Sequence, residues 1–274
     1  MNAASTLSHA DLQALRHARD LLETPGLAMK LANSLGTPLE RGFAMLPERW
    51  SSRVHEAARL SLERALDVAL YSLNRGEPGA SFTPATNASH KLAVALSGAA
   101  GGAFGLPALT VELPISTVVM LRSIADIARS EGESLMDLDT RLNCLQVFAF
   151  GGSSAEDDAV DTSYFAVRAM LGRGFTGSVG SLLERGVLDG AGGPVLSRLL
   201  GMLTKRFSVV VSEKLAAQAV PVVGAAGGAL VNTVFMGHFQ DMAWGHFIIR
   251  RLERHYGEAL VRQAYEDLQT EPIP

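Results

Sequence analysis

The sequence predicts an all-α protein, a helical bundle with two pseudo-repeated glycine-rich apolar helical hairpins, each followed by an amphipathic helix. Two observations carry this prediction. The hexapeptide GAAGGA occurs at 98–103 and again at 224–229, each time within a stretch that lacks Asp, Glu, Lys and Arg. The chain also has no sustained alternation of apolar and polar residues, which is the pattern expected of a half-buried strand.

The two apolar stretches are entered and left in the same way. Each follows a Lys-Leu-Ala tripeptide, which begins at Lys91 in the first copy and at Lys214 in the second. Each is followed by an amphipathic segment that closes on a glycine, Gly132 or Gly257. The chain therefore uses one building block twice.

The first predicted helix begins near the N-terminus. Ser8 and Asp11 have the spacing of a capping box, and Leu12, Leu15 and Leu22 then follow at amphipathic spacing. A second and clearer amphipathic helix is predicted over residues 48–73, with Pro47 before its first turn. Residues 74–90 are rich in turn-forming residues and read as a connector into the first apolar stretch.

Three further helices are predicted after the first apolar stretch. Asp137 or Asp139 caps a helix that runs to Phe150, and Asp161 caps one that runs to Leu171. Residues 172–193 are dense in glycine and read as a seam between two halves, after which Pro194 opens a helix into the second apolar stretch. We expect a single domain over 1–274, with an N-terminal extension of about 1–44.

The glycines of both hexapeptides share narrow helix faces, because residues at i, i+3, i+4 and i+7 stack on a helix. Each glycine costs a helix about 1 kcal/mol relative to alanine, so close packing against another helix is the expected compensation. Neither stretch ends in the Lys-Ser/Thr of a phosphate-binding loop. The predicted packing glycines are Gly98, Gly101, Gly102, Gly105, Gly224, Gly227 and Gly228.

The apolar stretches are poor candidates for simple transmembrane helices. Pro107 and Pro114 are expected to divide the first stretch into pieces too short for a bilayer core of roughly 30 Å, and Pro221 interrupts the second. The basic residues on both sides of the second stretch favour a hairpin over a single crossing. Membrane-associated hairpins, a soluble core and true spanning helices all remain open at this point.

Composition excludes several classes of function. A formal net charge of −4 without a basic run argues against nucleic acid as a partner. The single cysteine, Cys144, excludes an internal disulfide framework and lies in a sequence typical of a buried helix face. The mixed charges at the N-terminus do not form a signal peptide, so we expect a cytoplasmic protein, or one peripheral on the inner face of the cytoplasmic membrane.

Two polar clusters near the apolar stretches are the candidate functional residues, and a structural role as interhelical hydrogen bonds competes with function at both. His238 and Asp241 lie three apart on a predicted helix, close to Asn232 and His246, but without the spacing of a zinc motif. We therefore predict no metal, no cofactor and no catalytic residue with a recognised motif. The second cluster is Glu112, Arg122 and Asp126. In that cluster Arg122 and Asp126 are spaced to pair, and Glu112 could hold freed backbone amides or a partner cation.

Several segments together resemble the EcsC family. They are GAAGGAFGLPALTVELPISTVVMLRSIADIARSEG, RLNCLQVFAFGG and RFSVVVSEKLAAQAVPVVGAAGGALVNTVFMGHFQDMAWGHFIIRRLERHYG, which together place the resemblance over about residues 45–265. The family takes its name from a gene beside a bacterial ABC transporter linked to protein secretion. The resemblance implies a bacterial protein, cytoplasmic or peripheral on the membrane, without established catalytic residues to carry over.

The sequence and the resemblance predict a non-enzymatic membrane-associated or transporter-accessory factor, whose hairpins contact a membrane surface or the helices of a membrane protein. A first alternative is a soluble protein that encloses a lipid or other hydrophobic ligand, with Glu112, Arg122 or Asn232 orienting its head group. A second alternative is a hydrolase that uses His238 and Asp241. The oligomeric state is left open.

Overall fold

The computed structural model describes residues 7–23, 26–36, 38–47, 49–71, 106–151, 164–172, 193–219 and 224–270. Within these ranges the regular structure is helical throughout, which confirms the all-α prediction. The helices are α1 (His9–Glu23), α2 (Leu27–Leu35), α3 (Leu39–Ala44), α4 (Trp50–Tyr71), α5 (Leu106–Ser130), α6 (Leu138–Gln146), α7 (Tyr164–Gly172), α8 (Gly193–Ala219), α9 (Gly224–Tyr256) and α10 (Glu258–Thr270), with a 3-10 turn at Val147–Ala149.

Some predictions fall on parts of the chain outside these ranges. They are the connector, the first hexapeptide with Gly98, Gly101, Gly102 and Gly105, and most of the 172–193 seam. Whether the two apolar stretches repeat one hairpin therefore stays a prediction.

The N-terminal helices pack into the same core as the rest of the bundle. The Asp11 backbone N–H donates to Ser8 Oγ at 3.1 Å, and the Ser8 hydroxyl donates to Asp11 Oδ2 at 2.7 Å, which caps α1. Helix α1 buries Leu15 and Ala18 completely and lies against α9, while α2 and α3 lie against α8. These helices therefore pack onto the two long helices of the bundle.

Helix α4 is the amphipathic helix that the sequence predicted over 48–73, and it packs between α5 and α8. Its apolar face is buried at helical spacing, as the periodicity requires. That face consists of Val54, Ala57, Ala58, Leu62, Ala65, Leu66 and Ala69.

Helix α5 corrects the prediction that Pro114 breaks the first apolar stretch. The helix runs through Pro114 without interruption, although an interior proline removes one backbone hydrogen bond and costs about 3 kcal/mol. The residues around the proline are buried on one side, and Ser116 Oγ and Thr117 Oγ1 both donate to the Leu113 carbonyl at 3.1 and 2.7 Å. Tertiary packing of this face offsets the local cost.

The second hexapeptide forms the beginning of α9. Helix α8 ends at Ala219, α9 begins at Gly224, and α9 then continues for 33 residues to Tyr256. The amphipathic segment predicted to follow the apolar stretch is thus the C-terminal part of the same helix. Gly227 and Gly228 are buried, as close packing of a glycine face requires.

A cluster of phenylalanines fills the centre of the bundle. The 3-10 turn inserts Phe148 between α8 and α9, where its ring centroid lies 5.2 Å from that of Phe239 and 5.2 Å from that of Phe207. Phe235 adds an edge-on contact with Phe239 at 5.2 Å. These distances are those of favourable aromatic pairs, so this cluster supplies much of the hydrophobic contact that holds α8 to α9.

Gly42 sets how closely α3 approaches α8. A Cβ atom at Gly42 would lie 1.9 Å from the carbonyl oxygen of Ala216, which is backbone and cannot turn aside. We expect Gly42→Ala to lower the free energy of unfolding by about 1–3 kcal/mol, the usual cost of overpacking. Urea denaturation measures this. Gly201→Ala on α8 is the matched control, since nothing lies within 4 Å of its Cβ and the change should raise stability by up to about 1 kcal/mol.

Candidate functional site

Three buried polar side chains meet where α5, α8 and α9 cross. Lys214 Nζ donates to both carboxylate oxygens of Glu112, at 2.8 and 3.1 Å, and Asn232 Nδ2 donates to Glu112 Oε1 at 3.0 Å. The Lys214 side chain is completely buried and that of Glu112 is 7% exposed. The structure thus gives Glu112 the partner cation that its sequence position suggested.

Burial makes this cluster electrostatically demanding. A charge removed from water is costly unless a close opposite charge and further hydrogen bonds replace its hydration. Glu112 accepts three such bonds, and the Lys214 ammonium also lies 4.8 Å from the centroid of the Phe235 ring. The cluster therefore joins three helices, and its carboxylate is fully engaged.

His238 and Asp241 do not form the pair that a hydrolase would need. Asp241 binds Lys30 of α2 at 2.8 Å at a partly exposed position, whereas the His238 ring is buried. Neither ring nitrogen of His238 forms a hydrogen bond of normal geometry within the described part of the chain. Burial and the positive charge of Lys30 lower the pKa of His238 to about 3, although the Phe150 backbone opposes them. The imidazole is therefore neutral at pH 7.

The arginines near the C-terminal end of α9 form ion pairs with the acidic residues of the turn that follows α5. Arg250 Nε donates to Glu133 Oε1 at 2.8 Å, and Arg254 also binds Glu133. Burial opposes the ionisation of Glu133, but the hydrogen bonds from Arg250 and Thr140 and the charges of Arg250 and Arg254 together outweigh it and hold the pKa of this carboxyl below its usual value. Arg251 binds Glu131 at 2.7 Å. The basic residues that follow the second apolar stretch are thus engaged within the fold.

Arg122 and Asp126 lie closer to the C-terminal end of α5 than Glu112 does, outside the Glu112 cluster and the Glu133 cluster. Asp126 accepts a hydrogen bond from Arg129 Nη1 at 3.1 Å, and Arg122 is exposed. The sequence had predicted a pair between Arg122 and Asp126. Arg122 and Asp126 each have a further interaction as well, so the predicted pair between them stays a prediction.

His246 belongs to a chain of hydrogen bonds whose direction fixes its protonation. Arg168 donates to the Tyr164 hydroxyl oxygen at 3.4 Å, so the hydroxyl proton is donated to His246 Nδ1 at 2.8 Å. His246 Nε2–H then donates to Asn143 Oδ1 at 3.2 Å, and Asn143 Nδ2 donates to Asp139 Oδ2 at 3.1 Å. Burial, with the charges of Arg168 and Arg250, keeps the pKa of His246 well below its usual value.

This chain of hydrogen bonds lies beneath an open cavity of about 560 Å³ between α6, α7, α9 and α10. Arg168 on its wall forms a two-point ion pair with Glu253, at 2.6 and 2.7 Å. His246 is among the residues predicted from the sequence, whereas Tyr164, Arg168 and Asn143 are not, because they lie far from it along the chain. Lys214 was predicted only as the border of an apolar stretch, although a lone lysine there was a signal of a buried ion pair.

The outer face of α5 is apolar near the start of the helix. Val111 is 66% exposed and Ile115 54% exposed, one turn apart, and Val118 continues the same face half-buried. Leu230, 41% exposed, lies on the part of α9 that adjoins this segment through Asn232 and Glu112. Within the described ranges, no helix has both the length and the apolar character needed for a membrane crossing.

Cys144 and the candidate metal ligands show no reactive arrangement in the described part of the chain. Cys144 is buried, and burial raises the pKa of its thiol. Histidine, cysteine, aspartate and glutamate side chains do not gather there in groups of three that could hold a metal ion.

Comparison with known proteins identifies the family to which the chain belongs. The EcsC protein family matches residues 9–252, which cover most of the chain, and the chain therefore belongs to this family. The match begins in α1, so it includes the N-terminal helices that the sequence analysis had placed outside the resemblance. No curated protein and no solved structure matches the chain.

Proposed function

We propose that this member of the EcsC family is a non-enzymatic accessory protein that attaches to a membrane surface through the end of the bundle where the second glycine-rich segment begins. The observation that carries the proposal is the exposed apolar face of Val111 and Ile115 on α5. Clustered exposed apolar side chains on a helix face are typical of interaction surfaces rather than of ordinary solvent-exposed helices. Leu230 extends the same end of the bundle from α9.

The charges of the bundle favour an apolar attachment over an electrostatic one. Arg250, Arg251 and Arg254 form ion pairs with Glu131, Glu133, Asp139 and Asp11. Neutralised arginines attract an anionic lipid surface only weakly, and salt would screen what remains. These ion pairs also lie at the other end of α5 from Val111, beyond the C-terminus of that helix.

We propose a non-catalytic function because the candidate acid and base groups form structural contacts within the bundle or are buried in it. Glu112 binds Lys214 and Asn232, and Asp241 binds Lys30. His238 is buried as a neutral ring and has no carboxylate partner among the residues that the structure describes. A general base needs hydrogen-bonding reach to the proton that it removes, which this arrangement does not offer.

Replacing the apolar face by carboxylates should release the protein from lipid. We expect the wild-type protein to float with vesicles of phosphatidylethanolamine and phosphatidylglycerol, and to remain bound in high salt. The double variant Val111→Asp, Ile115→Asp should bind at least about tenfold more weakly, since each half-exposed side chain contributes roughly 1 kcal/mol or more of apolar burial. Flotation on a density gradient measures the bound fraction.

The matched control is Met136→Asp, which changes an apolar side chain that is 70% exposed beyond the other end of α5 and should leave binding unchanged. Equal binding by the double variant and the wild type would refute the proposal, as would release of the wild type by salt alone. A third outcome is possible: the wild-type protein does not bind vesicles but forms an oligomer, and the double variant is monomeric. That outcome would show that this face binds protein helices instead.

A further inference from the structure

The cavity between α6, α7, α9 and α10 has hydrogen-bonding groups that the fold does not use. Gln146, the last residue of α6, lines this cavity and is only 5% exposed. Its side-chain amide makes no hydrogen bond with the described part of the chain. The amide lies on the wall of a cavity of about 560 Å³, so its hydrogen-bonding groups are open to a ligand there.

Two guanidinium groups add further free donors beside Gln146. Arg250 bonds Glu133 and Asp139 through Nε and Nη2, which leaves its Nη1 hydrogens without a hydrogen-bond acceptor in the described ranges. Arg168 donates to Glu253 and Tyr164 through Nη1 and Nη2, and its Nε–H has no hydrogen-bond acceptor among the described residues. Both side chains are 17% exposed and are held in place by carboxylates. The inner part of the cavity therefore presents rigid donors suited to an anionic group.

The free acceptors lie at the rim instead. Glu258, in the first turn of α10, is exposed and forms no ion pair with the described residues. Asp139 binds Asn143 and Arg250 through Oδ2, and its side chain is still 69% exposed. The formal charges of the lining cancel, with three arginines against Asp139, Glu253 and Glu258. Phe165 adds an aromatic side chain to the lining.

The geometry points to a binding site for a small zwitterion, with its phosphate or carboxylate on the inner donors and its ammonium group at the acidic rim. A simple anion would meet the carboxylates of the rim, and a simple cation would leave the inner donors unused. Only a ligand that carries both charges matches both zones of the cavity. This inference does not depend on the proposed membrane attachment.

Two variants and two matched probes test the site in the full-length protein. The probes are glycerophosphoethanolamine and glycerol 3-phosphate, which differ by the ethanolamine ammonium, and calorimetry measures their affinities. Gln146→Met should weaken binding of glycerophosphoethanolamine about tenfold or more by removing hydrogen bonds to a charged group. The same change should not lower the melting temperature, because the amide forms no hydrogen bond with the described residues.

Glu258→Gln gives the sharper result. The substitution should weaken the binding of glycerophosphoethanolamine several-fold, because only the zwitterion uses the rim carboxylate. The affinity for glycerol 3-phosphate should stay unchanged or rise slightly. Glu40→Gln, at an exposed position on α3 that does not line the cavity, is the control and should change neither affinity. Glycerophosphoethanolamine that fails to bind at millimolar concentration, or that binds no better than glycerol 3-phosphate, would overturn the inference.

A competition experiment separates a free solute from a lipid head group. Glycerophosphoethanolamine is added to the protein bound to phosphatidylethanolamine vesicles. Displacement would identify the head group as the source of the zwitterion, whereas binding of the probe without displacement would identify a free solute. Both results require the calorimetric binding described above, so the site and its source are tested separately.

Discussion

Replacing Lys214 by methionine is expected to lower the free energy of unfolding by about 3–5 kcal/mol, the usual cost of removing one partner of a buried ion pair. The Glu112 carboxylate would stay in the interior with only the Asn232 amide as a donor from this cluster. Equilibrium denaturation in urea, followed by circular dichroism, measures the change. Because this loss is a large fraction of the stability of a typical domain, the variant should be close to unfolding at 37 °C.

Lys30→Met is the matched control for this experiment. Lys30 also pairs with a carboxylate at 2.8 Å, but its pair with Asp241 is partly exposed, with side chains 23% and 40% accessible. Solvent screens such a pair, so the control should lose no more than about 1 kcal/mol. A Lys214→Met variant that loses no more than Lys30→Met would show that the buried cluster does not hold the three helices together.

The double variant Glu112→Met, Lys214→Met separates the charge from the packing. Two methionines of similar length remove both buried charges, and such replacements in proteins are often neutral or stabilising. The Asn232 amide would lose one acceptor at a cost of about 1–3 kcal/mol. The double variant should therefore be more stable than Lys214→Met alone, which would locate the penalty in the uncompensated carboxylate.

Local patterns in the sequence predicted the helices well where the pattern depended only on residues that are neighbours along the chain. The periodicity of 48–73 predicted α4, and the Ser8–Asp11 capping box predicted the start of α1, since both depend on neighbours along the chain. Pro114 was wrongly predicted to break α5, because the local cost of a proline contains no information about the burial of Leu113 and the residues after it. Tertiary contacts decided that position.

The candidate site was predictable only in part, for the same reason. The sequence identified Glu112, Asn232 and His246 as unusual polar residues in apolar surroundings, but their partners come from other helices. His238 and Asp241 have a spacing that permits a shared site, yet Asp241 reaches Lys30 on α2 while His238 points into the core. Spacing along one helix does not specify which neighbouring helix each side chain meets.

Mild acid is expected to unfold the protein, because its buried histidines must accept protons when the chain unfolds. The pKa of His238 is about 3 in the folded protein and about 6.5 in an unfolded chain. The unfolded state thus binds more protons between pH 6.5 and pH 3. The stability from this group is complete above pH 6.5 and is lost as the pH falls toward 3, by up to about 5 kcal/mol. His246 acts in the same direction.

His238→Leu tests the origin of this acid sensitivity. The substitution removes the titrating ring from the pocket formed by the Gly151 backbone and Phe239, near Lys30 and the Phe150 backbone. Urea denaturation at several pH values between 7 and 4 should show a smaller loss of stability in this variant than in the wild type. His255→Leu, at an exposed position on the same helix, should keep the wild-type pH dependence. A His238→Leu variant with the wild-type pH dependence would place the acid-sensitive group elsewhere, and the neutral, buried state of His238 would then contribute little to the stability of the bundle.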